Sequence, residues 1–322
     1  MTATAEDSFL LLCATGQFDG VRSVLCQVQN GKRSALLLQE RQSHTGWTCL
    51  HLAALNGHSE IVRLLLEAGS TTEVVGRRQE TPLHLASTNG HVAVVVILLE
   101  AAAELEARDL QHCTPLHIGA HKGFKEVTSL LISGGANLEA REQEGASPLH
   151  LACWNGHVEV VRMLLAAGCQ LDARDSKQRT PLAMSCWNGH EVVVRELIAA
   201  GSDPNARDNE GGTPIHLAAL HANGGAIVQQ LLIAGADFEA RTTQQLSTPF
   251  HFAACNGCAK VIQFLLAAGA NHEAKDRQGA TPLDLAIASG HNQAAQQIIV
   301  HSLIVDSFLS TLSSDHSNNN QG

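Results

Sequence analysis

The chain has 322 residues, 44% of them hydrophobic and 16% charged, with a formal net charge of −10 at pH 7. That composition is globular, and the acidic balance argues against a general nucleic-acid binder, which needs a basic surface to displace counterions. Aromatics make up 3% and Tyr is missing, so a core must be built from Leu, Ala, Val and Ile, a palette that favours helix.

The first residues, "MTATAEDSFLLLCATG", do not form a secretory signal: they lack a basic start, and Glu6 and Asp7 precede a very short apolar run. Residues 1–6 are expected to be flexible. The stretch "DSFLLLCATGQFDGVRSVL" then reads as helix, turn at Gly16, helix, and "NGKRSALLLQERQ" follows it. From Thr48 onward one motif recurs: "TCLHLAALNGH" at Thr48, "TPLHLASTNGH" at Thr81, "TPLHIGAHKGF" at Thr114, "SPLHLACWNGH" at Ser147, "TPLAMSCWNGH" at Thr180, "TPIHLAALHANGG" at Thr213, "TPFHFAACNGC" at Thr248 and "TPLDLAIASGH" at Thr281. The steps are 33 residues except the one from Thr213 to Thr248, which is 35. One extra residue is placed in the "LHANGG" turn and the other in the "RTTQQLS" loop.

Each unit repeats one local logic. Thr or Ser caps a short helix, and Pro takes its first position, where a missing N–H costs little. The helix stops near Asn-Gly, because Gly suits a left-handed turn. A second helix with apolar spacing follows, as in "VEVVRMLLAAG", and then a polar hairpin such as "CQLDARDSKQR". A unit of this size cannot bury its own apolar face and must stack on its neighbours. No uninterrupted apolar run reaches membrane-spanning length; "HVAVVVILLEAAAELEA" comes nearest and is broken by His91 and Glu100. The end, "SSDHSNNNQG", is polar and low in complexity.

On these residues the chain resembles the ankyrin repeat family over about 48–305. The resemblance implies an all-α repeat solenoid of stacked helix-turn-helix units with protruding hairpin loops. The expected division is a flexible start at 1–6, a repeat domain at 7–305 and a disordered tail at 306–322. Within the domain, 7–40 is a degenerate capping repeat, and full repeats start near 43, 76, 109, 142, 175, 208, 242 and 276. The last repeat carries Asp284 in place of His, and "NQAAQQ" suggests a polar outer face.

The recurring side chains invite chemical readings, and architecture accounts for them. His51, His84, His117, His150, His216 and His251 share one register, but stacked helices lie about 8–10 Å apart while zinc holds its ligands at about 2 Å. The resemblance assigns them structural hydrogen bonds between units, and His58, His91, His157, His190 and His291 are read likewise. The fifth unit has Ala183 in the His register, which predicts a weaker contact there. "CNGC" at 255–258 has no second Cys pair to complete a zinc site, and its first Cys falls at the end of a helix rather than at an N-terminus. Nine scattered Cys read as reduced, buried thiols, and Cys153 and Cys186 lie one repeat apart, too far for a disulfide. Arg108, Arg141, Arg174, Arg207, Arg241 and Lys275 form a basic column whose acidic neighbours cancel it, so it reads as a solvated ion-pair ladder. No phosphate loop, nucleophile elbow or metalloprotease motif occurs. The expectation is a non-enzymatic protein with no catalytic residues, metal, cofactor, small-molecule substrate or membrane segment.

Family members generally bind proteins through a concave groove and hairpin tips. Carried onto this chain, the helix position after the two small residues is Leu55, Thr88, His121, Trp154, Trp187, Leu220 and Cys255. The tips include Trp47, Arg77, Arg78, Glu80, Leu110, Gln111, Gln143, Glu144, Lys177 and Arg179. These positions drift from unit to unit while framework positions repeat. The expected interaction centre is Trp154, Trp187, His121 and the tips of the third to fifth repeats, since Trp is enriched at binding hot spots. The expected partner is a protein bound by an adaptor or scaffold, with a regulatory or inhibitory enzyme subunit as the alternative. The expected compartment is the cytoplasm or the nucleus. The resemblance also marks Asn205 as a position where hairpin hydroxylation occurs.

Overall fold

The computed structural model describes the backbone of residues 5–27 and 32–318, and the side chains of 9–27 and 36–305. Most of the start expected to be flexible therefore lies outside the described residues. The chain divides into two compact units, Met1–Gln170 and Leu171–Gly322. Among the described residues all regular structure is helical, and no helix is long and apolar enough to cross a membrane.

In the first unit α1 (Ala5–Thr15), α2 (Phe18–Gln27) and α3 (Lys32–Gln39) precede four helix pairs. The pairs are α4 (Cys49–Leu55) with α5 (Ser59–Glu67), α6 (Pro82–Asn89) with α7 (Val92–Glu100), α8 (Pro115–Lys122) with α9 (Lys125–Ser133), and α10 (Pro148–Asn155) with α11 (Val158–Ala166). The second unit holds α12 (Pro181–Trp187), α13 (Glu191–Ala199), α14 (Pro214–Ala218), α15 (Gly225–Ile233), α16 (Pro249–Cys255), α17 (Ala259–Ala267), α18 (Pro282–Ala288) and α19 (Asn292–Asn318). Within 7–40 the described residues form α1 and α2, which pack on α4 and α5, and, further along the chain, α3.

Within each unit the first helices form one layer and the second helices another. In the first unit α1, α4, α6, α8 and α10 pack in series, and α2, α5, α7, α9 and α11 line up beside them. The core is what the composition dictates: Leu50, Leu83, Leu116 and Leu149 stack fully buried, over the β-branched pairs Ile61–Val62, Val94–Val95 and Val160–Val161. Burying one such Leu contributes about 1.5–3 kcal/mol, and each does so only because the next repeat covers it.

The two extra residues of the long repeat fall where the spacing places them. From the cap to the second helix the repeat gains one residue, and because α14 is cut to five residues the connection to α15 runs over 219–224. The following hairpin closes from Arg241 to the Leu246 carbonyl, five residues on, where Arg207 closes to Gly211, four on. The end of the chain differs from expectation. Helix α19 continues through Asn318, past position 306, because nothing from Asn292 to Asn318 is Gly or Pro and nothing breaks the run. The outer face there is also less polar than "NQAAQQ" suggests, since Ile287, Leu303 and Ile304 are exposed.

The His column ties a repeat to the one that follows it wherever the His is present. Nδ1 of His51 accepts the Thr48 main-chain N–H at 3.1 Å and faces the Thr48 hydroxyl at 2.9 Å, which puts the ring proton on Nε2. Nε2 then donates to the Glu80 carbonyl, 29 residues on, at 3.0 Å. His84 reaches the Cys113 carbonyl, His117 that of Ala146, His216 that of Ser247 and His251 that of Ala280 in the same way. The second His column points backwards: His58 donates to the Ala14 carbonyl, His91 to Leu55 and His157 to His121. These rings lie over the preceding turn. A Cβ on Gly57, already at φ +75°, would sit 2.6 Å from Nδ1 of His91, so Gly is required twice over.

The basic column bonds mainly to main-chain carbonyls rather than as an ion-pair ladder, although Arg141 also stands 3.9 Å from Glu139. Arg108 donates to the carbonyls of His112, in its own hairpin, and Arg141, in the next. Arg174, Arg207 and Arg241 do likewise, reaching the carbonyls of Arg207, Arg241 and Lys275. The acids beside them serve main-chain N–H groups instead. Oδ1 of Asp109 accepts from Gln111 and Cys113, and Glu106 accepts from Asn137 in the following repeat. Asn205 uses both ends of its amide in such a link, to Asp237 N–H and the Gly235 carbonyl. Both charge types are consumed by backbone groups that no helix satisfies.

Burial holds the His51, His117 and His216 rings neutral, lowering each to about 4, and it lowers His84 and His251 too. The unfolded chain, near the ordinary value of about 6.5, takes protons that the fold refuses. Stability should therefore be complete above pH 6.5 and fall as pH drops from there toward about 4. Each such ring should add about 1.4 kcal/mol per pH unit to the slope. Urea titrations across that range check this; a flat midpoint would refute it. In the fifth unit Ala183 offers only its N–H to Thr180 and no imidazole bridge. Amide hydrogen exchange over 180–187 should be faster than in the flanking repeats, and equal protection would contradict the bridge's role.

Candidate functional site

The first unit carries a groove of about 720 Å³. Its floor comes from the first helices: Leu55 of α4, Leu85 and Thr88 of α6, Ile118, His121 and Lys122 of α8, and Leu151 of α10. Its wall comes from four hairpins and includes Trp47, Arg78, Glu80, Asp109, Gln111, Gln143 and Glu144. The hairpins are held in rank by backbone bonds between tips: Arg77 N–H to Thr45, Leu110 N–H to Arg78 and Gln143 N–H to Gln111. Four repeats thus present one continuous lining.

The structure brings Trp47, Arg78, Gln111, Gln143, Glu144 and His121 together here. Arg77 and Leu110 are exposed but outside the lining. His121 is exposed, with Nδ1 facing the Asn155 amide at 3.0 Å; partial burial, then Lys122 and His157, keep its pKa below the ordinary value. Trp154 lies in the last turn of α10 at 37% exposure, and Trp187 ends α12, in the second unit, at 41%. The Trp187 carbonyl accepts from His221, so its main chain belongs to the framework while its ring is available.

Two tip residues are less free than their position implies. Trp47 is half-buried, and its indole N–H donates to Oε1 of Glu80 at 2.8 Å. Arg179 is bound to Asp175 through Nε at 2.8 Å and through its terminal nitrogen at 2.7 Å. Lys177, in the second unit, is exposed.

Sequence reasoning missed Leu85, Ile118 and Leu151, which repeat in register and so read as framework. Their signal was their place directly after the framework His, on the side of the helix facing the hairpins. Lys122, next to His121, was missed as well.

Other candidates for chemistry carry little. Among the described residues no group of three or more His, Cys, Asp and Glu side chains could hold a metal ion. None of the nine cysteines forms a disulfide, and Cys26 and Cys255 are exposed rather than buried. Cys258 is buried, which raises its thiol pKa, the wrong direction for a reactive thiolate.

The family profile described as ankyrin repeats (3 copies) matches residues 9–109, 103–175, 167–242 and 215–306. No curated protein matches the chain. Ankyrin repeats are generally protein–protein interaction modules. With the period, the His bridges and this profile running nearly end to end, the chain belongs to the ankyrin repeat family.

Proposed function

We propose that this protein is a non-enzymatic adaptor or scaffold that binds a partner protein through the groove of its first unit and the hairpin tips beside it. The observation that carries the reading is the groove itself, where side chains that drift across four repeats stand beside one mainly apolar floor. Framework residues are spent on backbone links, whereas Arg78, Gln111, Gln143, Glu144 and His121 vary without cost to the fold. The exposed rings of Trp154 and Trp187 are the strongest anchors outside the groove, because Trp offers large contact area at low entropy cost. The net charge of −10 favours a protein over nucleic acid. Cysteines without disulfides suit a reducing compartment, the cytoplasm or the nucleus.

Affinity purification with mass spectrometry tests the reading, comparing the wild type with His121→Asp/Gln143→Ala and with Trp154→Ala/Trp187→Ala. Each pair should leave thermal unfolding nearly unchanged. A contacted Trp should cost about 2–4 kcal/mol of binding when truncated. Recovery of the same partners by both folded variants at wild-type levels would refute the surface.

A further inference from the structure

Trp47 and Glu80 occupy the same register, each directly before the residue that caps a first helix. The same position elsewhere holds Cys113, Ala146, Arg179, Gly212, Ser247 and Ala280. The fold therefore needs no carboxylate there, and the main chain of Glu80 already does the framework's work: its carbonyl accepts from Nε2 of His51 and from the Gly76 N–H. Yet Glu80 is only 9% exposed and lines the groove. Its Oε1 holds the Trp47 indole, while Oε2 is buried with no partner among the described residues. A buried carboxylate oxygen left unpaired is costly, and such a group in a binding groove points to a ligand that completes it.

The surroundings define that ligand. Asp109, Glu142 and Glu144 stand along the same wall, against Arg78 and Lys122, so carboxylates outnumber cations four to two once Glu80 is included. Arg78 lines the groove but forms no ion pair among the described residues, so the nearby cation leaves Glu80 unserved. Gly76 has no side chain, and a Cβ there would lie 2.7 Å from the Trp47 ring and 3.0 Å from the Glu80 carboxyl carbon. The Trp–carboxylate pair is thus packed onto bare backbone on one side and meets the groove on the other. A guanidinium suits the pair better than an ammonium: it is planar, it presents several donors to one carboxylate, and it stacks on an indole face.

We infer that the groove receives an arginine side chain from a partner protein, its guanidinium taking the unpaired oxygen of Glu80 beside the Trp47 ring. Apolar residues flanking that arginine lie on Leu85, Ile118 and Leu151. The inference rests on the groove being the partner site. Trp47 is the neighbour that shifts to admit the guanidinium, since Oε2 is covered in the unliganded chain.

The test begins with random linear peptides displayed on phage and selected on the full chain. The best peptide is then synthesised with arginine, citrulline or lysine at the enriched position and titrated against the wild type, Glu80→Gln and Leu151→Asp. Glu80→Gln keeps an oxygen for the Trp47 indole and should unfold at nearly the wild-type temperature. Selection should enrich one arginine. Citrulline should weaken binding to the wild type by at least ~10-fold and to Glu80→Gln by less than ~2-fold. Binding lost on Leu151→Asp but indifferent to citrulline and to Glu80→Gln would overturn the arginine and leave the groove standing. The same indifference, with water on Oε2, is what an unliganded Glu80 would give. Peptides unaffected by any of the variants, or none selected at all, would overturn both.

Discussion

The structure depends on an imidazole kept neutral inside a stack. One ring nitrogen accepts from the cap of its own helix, and the other donates to a carbonyl 29 residues later, as His51 does between Thr48 and Glu80. A hydroxyl or an amide could serve either end, but a ring with one donor and one acceptor on opposite sides serves both without an unpaired atom. The bond also positions the hairpin, because the accepting carbonyl lies just before the next cap. Local capping and inter-repeat registry are therefore one interaction, which is why the Thr-Pro-Leu-His word recurs so faithfully. Where the bridge has no onward use, in the last repeat, Asp284 keeps the cap alone through two bonds to Thr281.

A second constraint follows from the hairpins. Each closes on itself and on its neighbour with only a few backbone bonds, such as Asp109 N–H to the Cys113 carbonyl, so many of its remaining backbone groups take partners from side chains. The Arg column supplies donors to two carbonyls at once, and the acids supply acceptors to N–H groups in the same and the following hairpin. Charges that look like a surface in the sequence are thus internal fittings of the loop layer.

This division explains what could be read from residues alone. The 33-residue period, the caps, the turn glycines and the two insertions were legible because each obeys a local steric or hydrogen-bonding rule that a one-dimensional string records. The helix α3 was not, because it lies outside the period, and neither was the continuation of α19, because a polar composition hides an unbroken helical run. The Arg column misled because pairing by sequence neighbourhood favours Asp109 for Arg108, whereas three-dimensional neighbourhood offers carbonyls. Groove-lining residues were legible only where they drift. Leu85, Ile118 and Leu151 do not drift, since a groove floor next to the core must stay apolar, and a rule that equates repetition with packing cannot see them.

Glu80 shows how the two kinds of position are separated in practice. Its carbonyl is framework, fixed by His51, and its side chain is not, since Ala, Gly and Ser hold the same register in other repeats. One residue therefore contributes its main chain to the fold and its side chain to the groove. The same holds for Trp187, whose carbonyl accepts from His221 while its ring stays exposed. Repeat architecture permits this because its specific bonds run mostly through backbone carbonyls and a few invariant side chains. Function can then be written in the side chains of residues whose backbones already belong to the stack, with no loop or domain added to hold it.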